Sequence, residues 1–409
     1  MSLRLRGLLT LLVLLVLSFI FAMFQGGFVS WFLFFSLFVL TVLTCLWSYN
    51  WFKGLQVERT VSTKQAVAGD TLKVTVTLNN AKPWIPYAYL WMEERLEDKR
   101  MIKKTPSLLV FPWFKRKLVL DYELDKLPRG VLQFRELTLV TGDPFGFVQK
   151  RRTFPVEEQI LVYPQYKEIA SWSWEKGEQL GRLRSKQPWQ EQAFASGIRN
   201  YIPGDRLSHI HWKASARFQS LKTKEFEQSQ STDFIFFLDR EAGAYPADDE
   251  LLFELGVSLT ASLVHYTLTR AAASRLISHG KQGFEELSLS QRHLSFARVL
   301  EHLAYVQADS SLPFSKVLLE RSGYFFRGAT LVIISPQLTK ELILLLTELA
   351  HRQINLQFFW LKGKRSVPSE EPLLTMLQKA DLSFYIIEDD RFEETISRGG
   401  GMRHAVPTG

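Results

Sequence analysis

Asp233-Phe-Ile-Phe-Phe-Leu238 sets five apolar residues in a row behind one acid, with no polar residue between them. A strand with one face in water alternates apolar and polar side chains. A short run without alternation suits a strand covered on both faces, as at the centre of a helix-flanked sheet. Working outward, Thr330-Leu-Val-Ile-Ile334 repeats the pattern, Ile354–Leu361 (INLQFFWL) and Ser383–Ile387 (SFYII) approach it, and Leu276-Ile-Ser278 and Leu287-Ser-Leu289 are weaker strands. Between them Leu251–Thr269 carries Leu252, Leu255, Leu259, Leu263 and Tyr266 at helical spacing, and Gln291–Gln307, Leu338–Arg352 and Glu371–Ala380 also read as helices. Strand, helix, strand, helix implies parallel strands joined by right-handed crossovers, hence a doubly wound α/β domain over residues 231–396. The tail 397–409 (SRGGGMRHAVPTG) is expected to be disordered.

The other end of the chain is of a different kind. Residues 7–24 and 28–49 carry no charge. About 20 helical residues cross a ~30 Å hydrocarbon core, so each run is long enough, the first only just. Gln25-Gly26-Gly27 suits a tight turn at one membrane face. Residues 1–54 are therefore read as a two-helix transmembrane hairpin. A cleaved signal peptide fits less well, because no small-x-small site follows residue 20 and a second apolar run comes at once. Trp47, Tyr49, Trp51 and Phe52, followed by Lys53, form an interfacial aromatic belt with a cationic stop. Arg4, Arg6 and Lys53 face no acid within residues 1–54, so positive-inside logic places both termini and the soluble domains in the cytoplasm of a multi-pass cell-membrane protein.

Residues 55–165 hold several short strands: Leu72–Leu78, Trp84–Met92, Leu118–Leu124, Val131–Val140 and Gln159–Tyr163. Turn chemistry at Leu127-Pro-Arg-Gly130 and Thr141-Gly-Asp-Pro144 and the lack of a helical stretch suggest an antiparallel β-sandwich. Leu108–Lys117 (LLVFPWFKRK), aromatic then basic, reads best as a strand with a solvated basic end, with contact to lipid headgroups the alternative. Residues 166–230 form a connector, irregular over Ser171–Gln192. Charge is uneven: 18 Lys/Arg against 13 Asp/Glu in 55–165, 11 against 7 in 166–230, and 18 against 22 in 231–409. A basic proximal half favours an anionic leaflet.

Composition excludes several classes. With 46% apolar and 22% charged residues the chain is not disordered as a whole. One cysteine, Cys45, leaves no intramolecular disulfide and no multi-cysteine metal site. A phosphate-binding G-x-x-x-x-G-K-[ST] loop and a strand-coupled G-x-G-x-x-G are missing, and nothing suggests nucleic acid. No cofactor is expected.

The densest constellation is Gly197–Glu227, GIRNYIPGDRLSHIHWKASARFQSLKTKEFE. Ile202-Pro203-Gly204-Asp205 suits a type II turn, Asp205 a helix N-cap, and Arg206–Arg217 a short helix on which Trp212, Ala214 and Ala216 pack closely. Lys222–Glu227 is then extended. His209 and His211 as metal ligands would point about 200° apart on a helix. Asp205, His211 and Ser215 assemble into a hydrolase triad only without a nucleophile elbow. Arg199, Arg206, Lys213 and Arg217 are candidates for gripping a phosphate or an acidic partner. A turn plus capped helix joining two domains is the preferred reading.

Tyr201-Ile-Pro203-Gly204-Asp205, Ile210-His-Trp212-Lys213-Ala-Ser-Ala216-Arg217 and Lys224-Glu-Phe-Glu227 resemble the signature of the domain-of-unknown-function 58 family. Arg129-Gly130, Asp143-Pro-Phe-Gly-Phe147 and Val162-Tyr-Pro164 match the pattern that precedes it, and the layout matches over nearly the whole chain. The resemblance implies a distal domain similar to von Willebrand factor type A, association with MoxR-type AAA+ ATPases, and often membrane transglutaminase-like proteins encoded nearby. Metal-binding type A domains carry D-x-S-x-S after the first strand; here that position reads Asp239-Arg-Glu241-Ala-Gly243, and Ser335-Pro336 follows the central strand. Asp239, Glu241 and Ser335 thus form a degenerate site, expected to hold no functional metal. The expected function is a non-enzymatic scaffold or adaptor that presents the distal domain to such an ATPase. The alternatives are a hydrolase using Asp205, His211 and Ser215, or an outward-facing adhesion module.

Overall fold

The computed structural model describes residues 2–4, 6–48, 52, 54–80, 87–97, 106–113, 115–172, 195–202, 210–226, 234–246, 249–289, 292–325, 329–352, 354–363, 370–380 and 382–397. They fall into two units, Met1–Gln165 with Leu300–Val306, and Tyr166–Val299 with Gln307–Gly409.

In the first unit β1 (Ser2–Arg4) precedes two long helices, α1 (Arg6–Gln25) and α2 (Phe28–Ser48), both long and apolar enough to cross a membrane. Ser18, Ala22, Ser30, Thr41 and Thr44 are buried; the hydroxyls of Ser18 and Thr41 donate back to carbonyls of their own helices, and that of Ser30 to Gly26 in the turn between them. Small residues let two apolar helices approach closely. The large side chains, among them Leu14, Leu17, Phe32 and Phe35, point outward. A third helix, Leu251–Thr269, passes the same length and hydropathy test, but 72% of its apolar window is buried inside the protein against 17% for α1 and α2. It is a core helix of the second unit.

Two sheets follow. One runs β2 (Leu55–Val61), β4 (Leu72–Asn80), β7 (Lys117–Leu124), all antiparallel. The other has the order β1, β9 (Gln149–Tyr163), β8 (Gly130–Gly142), β5 (Leu90–Glu97), β6 (Ser107–Val110), with β3 (Gln65–Val67) parallel to the far end of β9. Alternation turns Val74, Val76 and Leu78 of one sheet and Leu90, Met92, Leu132, Phe134 and Ile160 of the other into a shared core. Of the expected strand at Trp84–Met92, positions 84–86 lie outside the described residues and β5 begins at Leu90; Leu108–Lys117 is interrupted, since β6 ends at Val110 and β7 begins at Lys117. Within this unit the buried Arg129 guanidinium donates to the carbonyls of Leu303 and Val306.

The second unit carries a six-stranded sheet in the order β14 (Gly283–Leu289), β13 (Ser274–Gly280), β12 (Phe234–Leu238), β15 (Thr330–Ser335), β16 (Asn355–Leu361), β17 (Ser383–Ile387). All neighbours are parallel except β13 and β14, which form an antiparallel hairpin through Lys281-Gln282. A two-residue connection cannot make a parallel crossover, so the edge strand β14 departs from the parallel pattern expected where helices join the strands. Every residue of β12 and β15 is buried. Helix α4 (Glu250–Thr269) lies on one face, where a side chain at Gly256 would collide with Leu361 at 2.8 Å. On the other face Ile235, Phe237, Leu331 and Ile333 pack with residues of α6 (Phe314–Arg321), α7 (Lys340–His351) and α8 (Glu370–Lys379). Helix α5 (Arg292–Tyr305) begins in this unit, its residues from Leu300 on counting with the first, and α9 (Phe392–Ser397) completes the set; α6 and α9 escaped the sequence reading because each is short. Trp172 packs on Phe234, Tyr266 and Phe359 in this core.

A small antiparallel ribbon, β10 (Ala195–Asn200) with β11 (Lys222–Phe226), belongs to the same unit. Helix α3 (Trp212–Phe218) lies between its strands and is shorter than the expected Arg206–Arg217. Ile210 makes an isolated β-bridge with Thr223, and a ladder residue cannot also be helical. Positions 203–209, including the expected turn at Pro203-Gly204-Asp205 and His209, lie outside the described residues, as do most of the Ser171–Gln192 connector and positions 398–409 of the tail.

Candidate functional site

In an open sheet of this order the crevice lies where consecutive connections leave in opposite directions, beyond the C-terminal ends of β12 and β15. Asp239 and Arg240 follow β12, and Ser335 ends β15; all three are buried. Asp239 Oδ1 accepts from the Glu241 backbone N–H at 2.8 Å, and Oδ2 accepts from the Ser335 hydroxyl at 2.7 Å and the Gln337 side-chain amide at 3.4 Å. The same amide donates to Glu241 Oε2 at 2.6 Å, and Oε2 also accepts from the Phe314 backbone N–H at 2.8 Å, at the start of α6. Gln337 N–H in turn donates to Ser335 Oγ at 3.0 Å. The three residues singled out from the sequence thus meet, through Gln337, which the sequence reading missed. Its position two residues past a central strand was the available signal.

Burial pushes the Asp239 carboxyl up to about 7, against the hydrogen bonds from Ser335 and Glu241. Tyr245, whose hydroxyl donates to the Asp239 carbonyl at 2.7 Å, is raised well above its usual value by burial and then by the Asp239 charge. Arg240 turns away from Asp239. It bridges Glu285 and Asp309, both at 2.8 Å, donates to the Gln307 carbonyl at 3.0 Å, and fills space that only glycine at 280 leaves open.

This donor set does not fit a divalent cation. An ion needs inward-facing oxygen lone pairs, whereas an amide N–H, a donor, sits between the two carboxylates. Among the described residues no group of three His, Cys, Asp or Glu is close enough to hold a metal.

The signature helix is organised by backbone capping. His211 is the N-cap of α3, its Nδ1 accepting from the Ala214 N–H at 3.1 Å. Ser215 Oγ donates to the His211 carbonyl at 3.1 Å and accepts from the Lys222 N–H at 2.9 Å, tying α3 to β11. The residues of the supposed triad that are described spend their polar atoms on main chain. Asp205 lies outside the described residues. Trp212 does not pack inward as expected: it is 67% exposed; Lys213, Ala216 and Arg217 are also exposed, while Ile210 and Ala214 are buried and Tyr201 is half-buried.

The first unit holds a second charged cluster that the sequence reading passed over. Arg59 and Glu94, both side chains fully buried, form an ion pair inside the two-sheet core, with Arg59 Nη1 donating to the Val156 carbonyl at 2.6 Å and its guanidinium 4.6 Å from the Phe134 ring centre. Burial raises the Glu94 carboxyl to about 7, opposed by the charge and hydrogen bond of Arg59.

These features define a class: two apolar N-terminal helices joined to a sheet-rich soluble region, with a crevice whose carboxylates are bound by the protein's own donors. The chain belongs to the DUF58 family. The profile described as "Protein of unknown function DUF58" matches residues 197–357. The chain is similar to "Uncharacterized protein YeaD" of Bacillus subtilis (strain 168), with 33% identity over 394 residues covering 95% of this chain and 96% of that protein. Among solved structures, Cwp6 from Clostridium difficile aligns over 82% of this chain and 50% of its own at 11% identity and TM-score 0.20. A β-glucosidase from Erythrobacter marinus aligns over 24% and 15% at 14% identity and TM-score 0.14. Scores that low carry no argument.

Proposed function

We propose that this protein is a non-enzymatic, membrane-anchored scaffold that presents its α/β unit to a protein partner. In this reading the first unit is a β-sandwich carried by a transmembrane hairpin, and the second is a degenerate von Willebrand factor A-like domain whose strand order and buried Asp239 echo metal-binding relatives. One observation carries the proposal: the crevice that in such a sheet would receive a ligand has Asp239 and Glu241 satisfied by Ser335, Gln337 and backbone N–H groups. With both oxygens of Asp239 and one of Glu241 already accepting hydrogen bonds, the site is poorly disposed to ligate a cation or take a proton, whereas the surface around it remains available for docking. Arg4, Arg6 and Lys53 at the two ends of the hairpin, with no charge in the Gln25-Gly26-Gly27 turn, favour a cytoplasmic soluble part. Family resemblance nominates a MoxR-type AAA+ ATPase as partner, with a membrane transglutaminase-like protein as a further member of the assembly. Tethering raises local concentration, so modest affinity suffices.

The test is purification of the tagged full chain from native membranes in mild detergent, followed by mass spectrometry. An AAA+ ATPase enriched over untagged membranes supports the reading. Its consistent absence, or hydrolytic turnover by the purified chain that is lost in His211→Ala while the fold persists, overturns it.

A further inference from the structure

We infer that Phe111, Trp113 and Phe145 form an aromatic rim that seats the β-rich first unit in the headgroup region of a lipid bilayer. The inference rests on the anchoring reading above and adds a second attachment to it.

The register of the two sheets defines one end of this unit. Residue Leu55, seven positions after the end of α2, pairs with Asn80, and Asn79 pairs with Lys117. In the other sheet Leu90 pairs with Val110 and with Thr141, and Gly142 pairs with Gln149. Strand β1 runs along β9 from Arg151 toward Gln149, so α1 departs from the same end. Contact with the helix is direct: a Cβ on Gly7 would lie 2.1 Å from the Phe147 carbonyl oxygen, so the β8–β9 turn presses against the first turn of α1. Gly7 opens the charge-free run, which places this turn at the boundary between hydrocarbon and water.

The three aromatic side chains project from that end. Phe145 is 55% exposed, Phe111 62% and Trp113 56%, whereas Phe134 and Tyr87 of the same unit are buried. Phe145 lies two residues from Phe147, within about 7 Å along the chain. Phe111 and Trp113 continue β6 past Val110, and Trp113 exchanges backbone hydrogen bonds with Tyr87 at 3.0 and 3.2 Å. The backbone is built to hold them outward. The buried Asp143 carboxylate accepts from the N–H groups of Phe145 (3.0 Å) and Val148 (2.5 Å), and Gly146, at φ +80°, closes the turn. Trp113 sits at φ 51°, a left-handed conformation that non-glycine residues seldom adopt. In water such a rim is an exposed apolar patch; at a membrane surface amphipathic and aromatic rings are at home, and Lys115, Arg116 and Lys117 follow where anionic headgroups begin. With the hairpin as the first attachment, the rim as a second fixes the height and rotation of the unit above the bilayer.

The lone cysteine makes the test clean. In a Cys45→Ser background, nitroxide labels are attached through Phe111→Cys, Phe145→Cys, Leu14→Cys (outward on α1) and Glu123→Cys (exposed, at the opposite end of β7), and the full chain is reconstituted in phosphatidylglycerol-containing vesicles. The ratio of collision rates with oxygen and with a water-soluble nickel chelate reads depth. Labels at 111 and 145 are expected several-fold above 123 and below 14. Values equal to 123 at both sites, with 14 deep, overturn the rim while leaving the anchor intact. An aqueous value at 14 overturns the anchor and the rim with it. A second readout covers perturbation by the label: fluorescence of Phe145→Trp, relative to the unsubstituted chain, gains a component quenched by lipids brominated near the headgroup, and no such component counts against the rim.

Discussion

Two buried carboxylates, one in each unit, have been pushed to the same place by different surroundings. Glu94 in the two-sheet core and Asp239 at the end of β12 are both raised to about 7 by burial. Glu94 faces a full positive charge on Arg59, whereas the groups hydrogen-bonded to Asp239 are neutral: a hydroxyl, a backbone N–H and an amide. An ion pair ties the state of each member to the other, and removal of one strands the other. A neutral network tolerates either protonation state of the acid at moderate cost. The first arrangement makes a charged pair part of the packing; the second leaves a titratable group in a crevice with no counter-ion among the described residues.

The largest effect is therefore expected at Arg59. Arg59→Met leaves Glu94 unpaired among Leu and Phe side chains, and breaking a buried pair from one side costs about 3–5 kcal/mol. The loss should grow as pH rises through about 7, where Glu94 of the unsubstituted chain ionises against Arg59, and be smaller near pH 5, where it is protonated. The double change Arg59→Met with Glu94→Leu should recover most of it. Hydrogen exchange of peptides from β4 and β5 in the full chain reads the effect in its own unit. Equal losses in the single and double variants would show that the pair is not coupled as described.

Asp239 gives the next largest effect. Its folded-state value lies above the ordinary carboxylate value of 3.8, so the folded unit holds the proton more tightly than the unfolded chain. The corresponding stability is complete below about pH 4 and is lost as pH rises through about 7, at up to about 1.4 kcal/mol per pH unit. Asp239→Asn should flatten that slope in exchange of β12 and β15 peptides between pH 5 and 8, leaving β4 and β5 unchanged. A slope that survives the substitution would place its origin elsewhere.

The same two sites show what the sequence could disclose. The unbroken run at Phe234–Leu238 and the alternation at Leu72–Leu78 were enough for the helix-flanked sheet and for a β-rich first unit, because burial dictates those patterns directly. Leu251–Thr269 passes the same hydropathy test as the two N-terminal helices, but its place among strands in the sequence and its burial in the structure both mark it as a core helix. The weak strand at Leu287-Ser-Leu289 is the end of the antiparallel β14, whose first half, Phe284-Glu-Glu286, is too polar to advertise a strand, and its hairpin hides in an ordinary Lys-Gln turn. Arg59 and Glu94 were legible in principle. Each stands at an inward register position, Arg59 between Val57 and Val61, Glu94 between Met92 and Leu96, so alternation alone puts both charges in the core. Asp239, Glu241 and Ser335 could be found from their positions after strands, but Gln337 as the donor joining the two carboxylates depends on loop geometry that no spacing rule supplies.

The smallest expected effect addresses the signature segment, where spacing suggested chemistry and the structure places capping. His211→Ala removes the acceptor for the Ala214 N–H at the start of α3, a cap worth about 1 kcal/mol. His211→Asn, which keeps an acceptor at a helix N-terminus, should restore most of that loss. Exchange of the Ala214 and Ser215 amides is the readout, with β12 as an internal control expected to stay unchanged. Ser215→Ala tests the adjoining tie, since its hydroxyl joins α3 to the Lys222 N–H at 2.9 Å; it should loosen β11 amides that His211→Ala leaves protected. Failure of asparagine to rescue, with the amides already restored by alanine-tolerant packing, would mean that the imidazole at 211 is held for something other than the helix it begins.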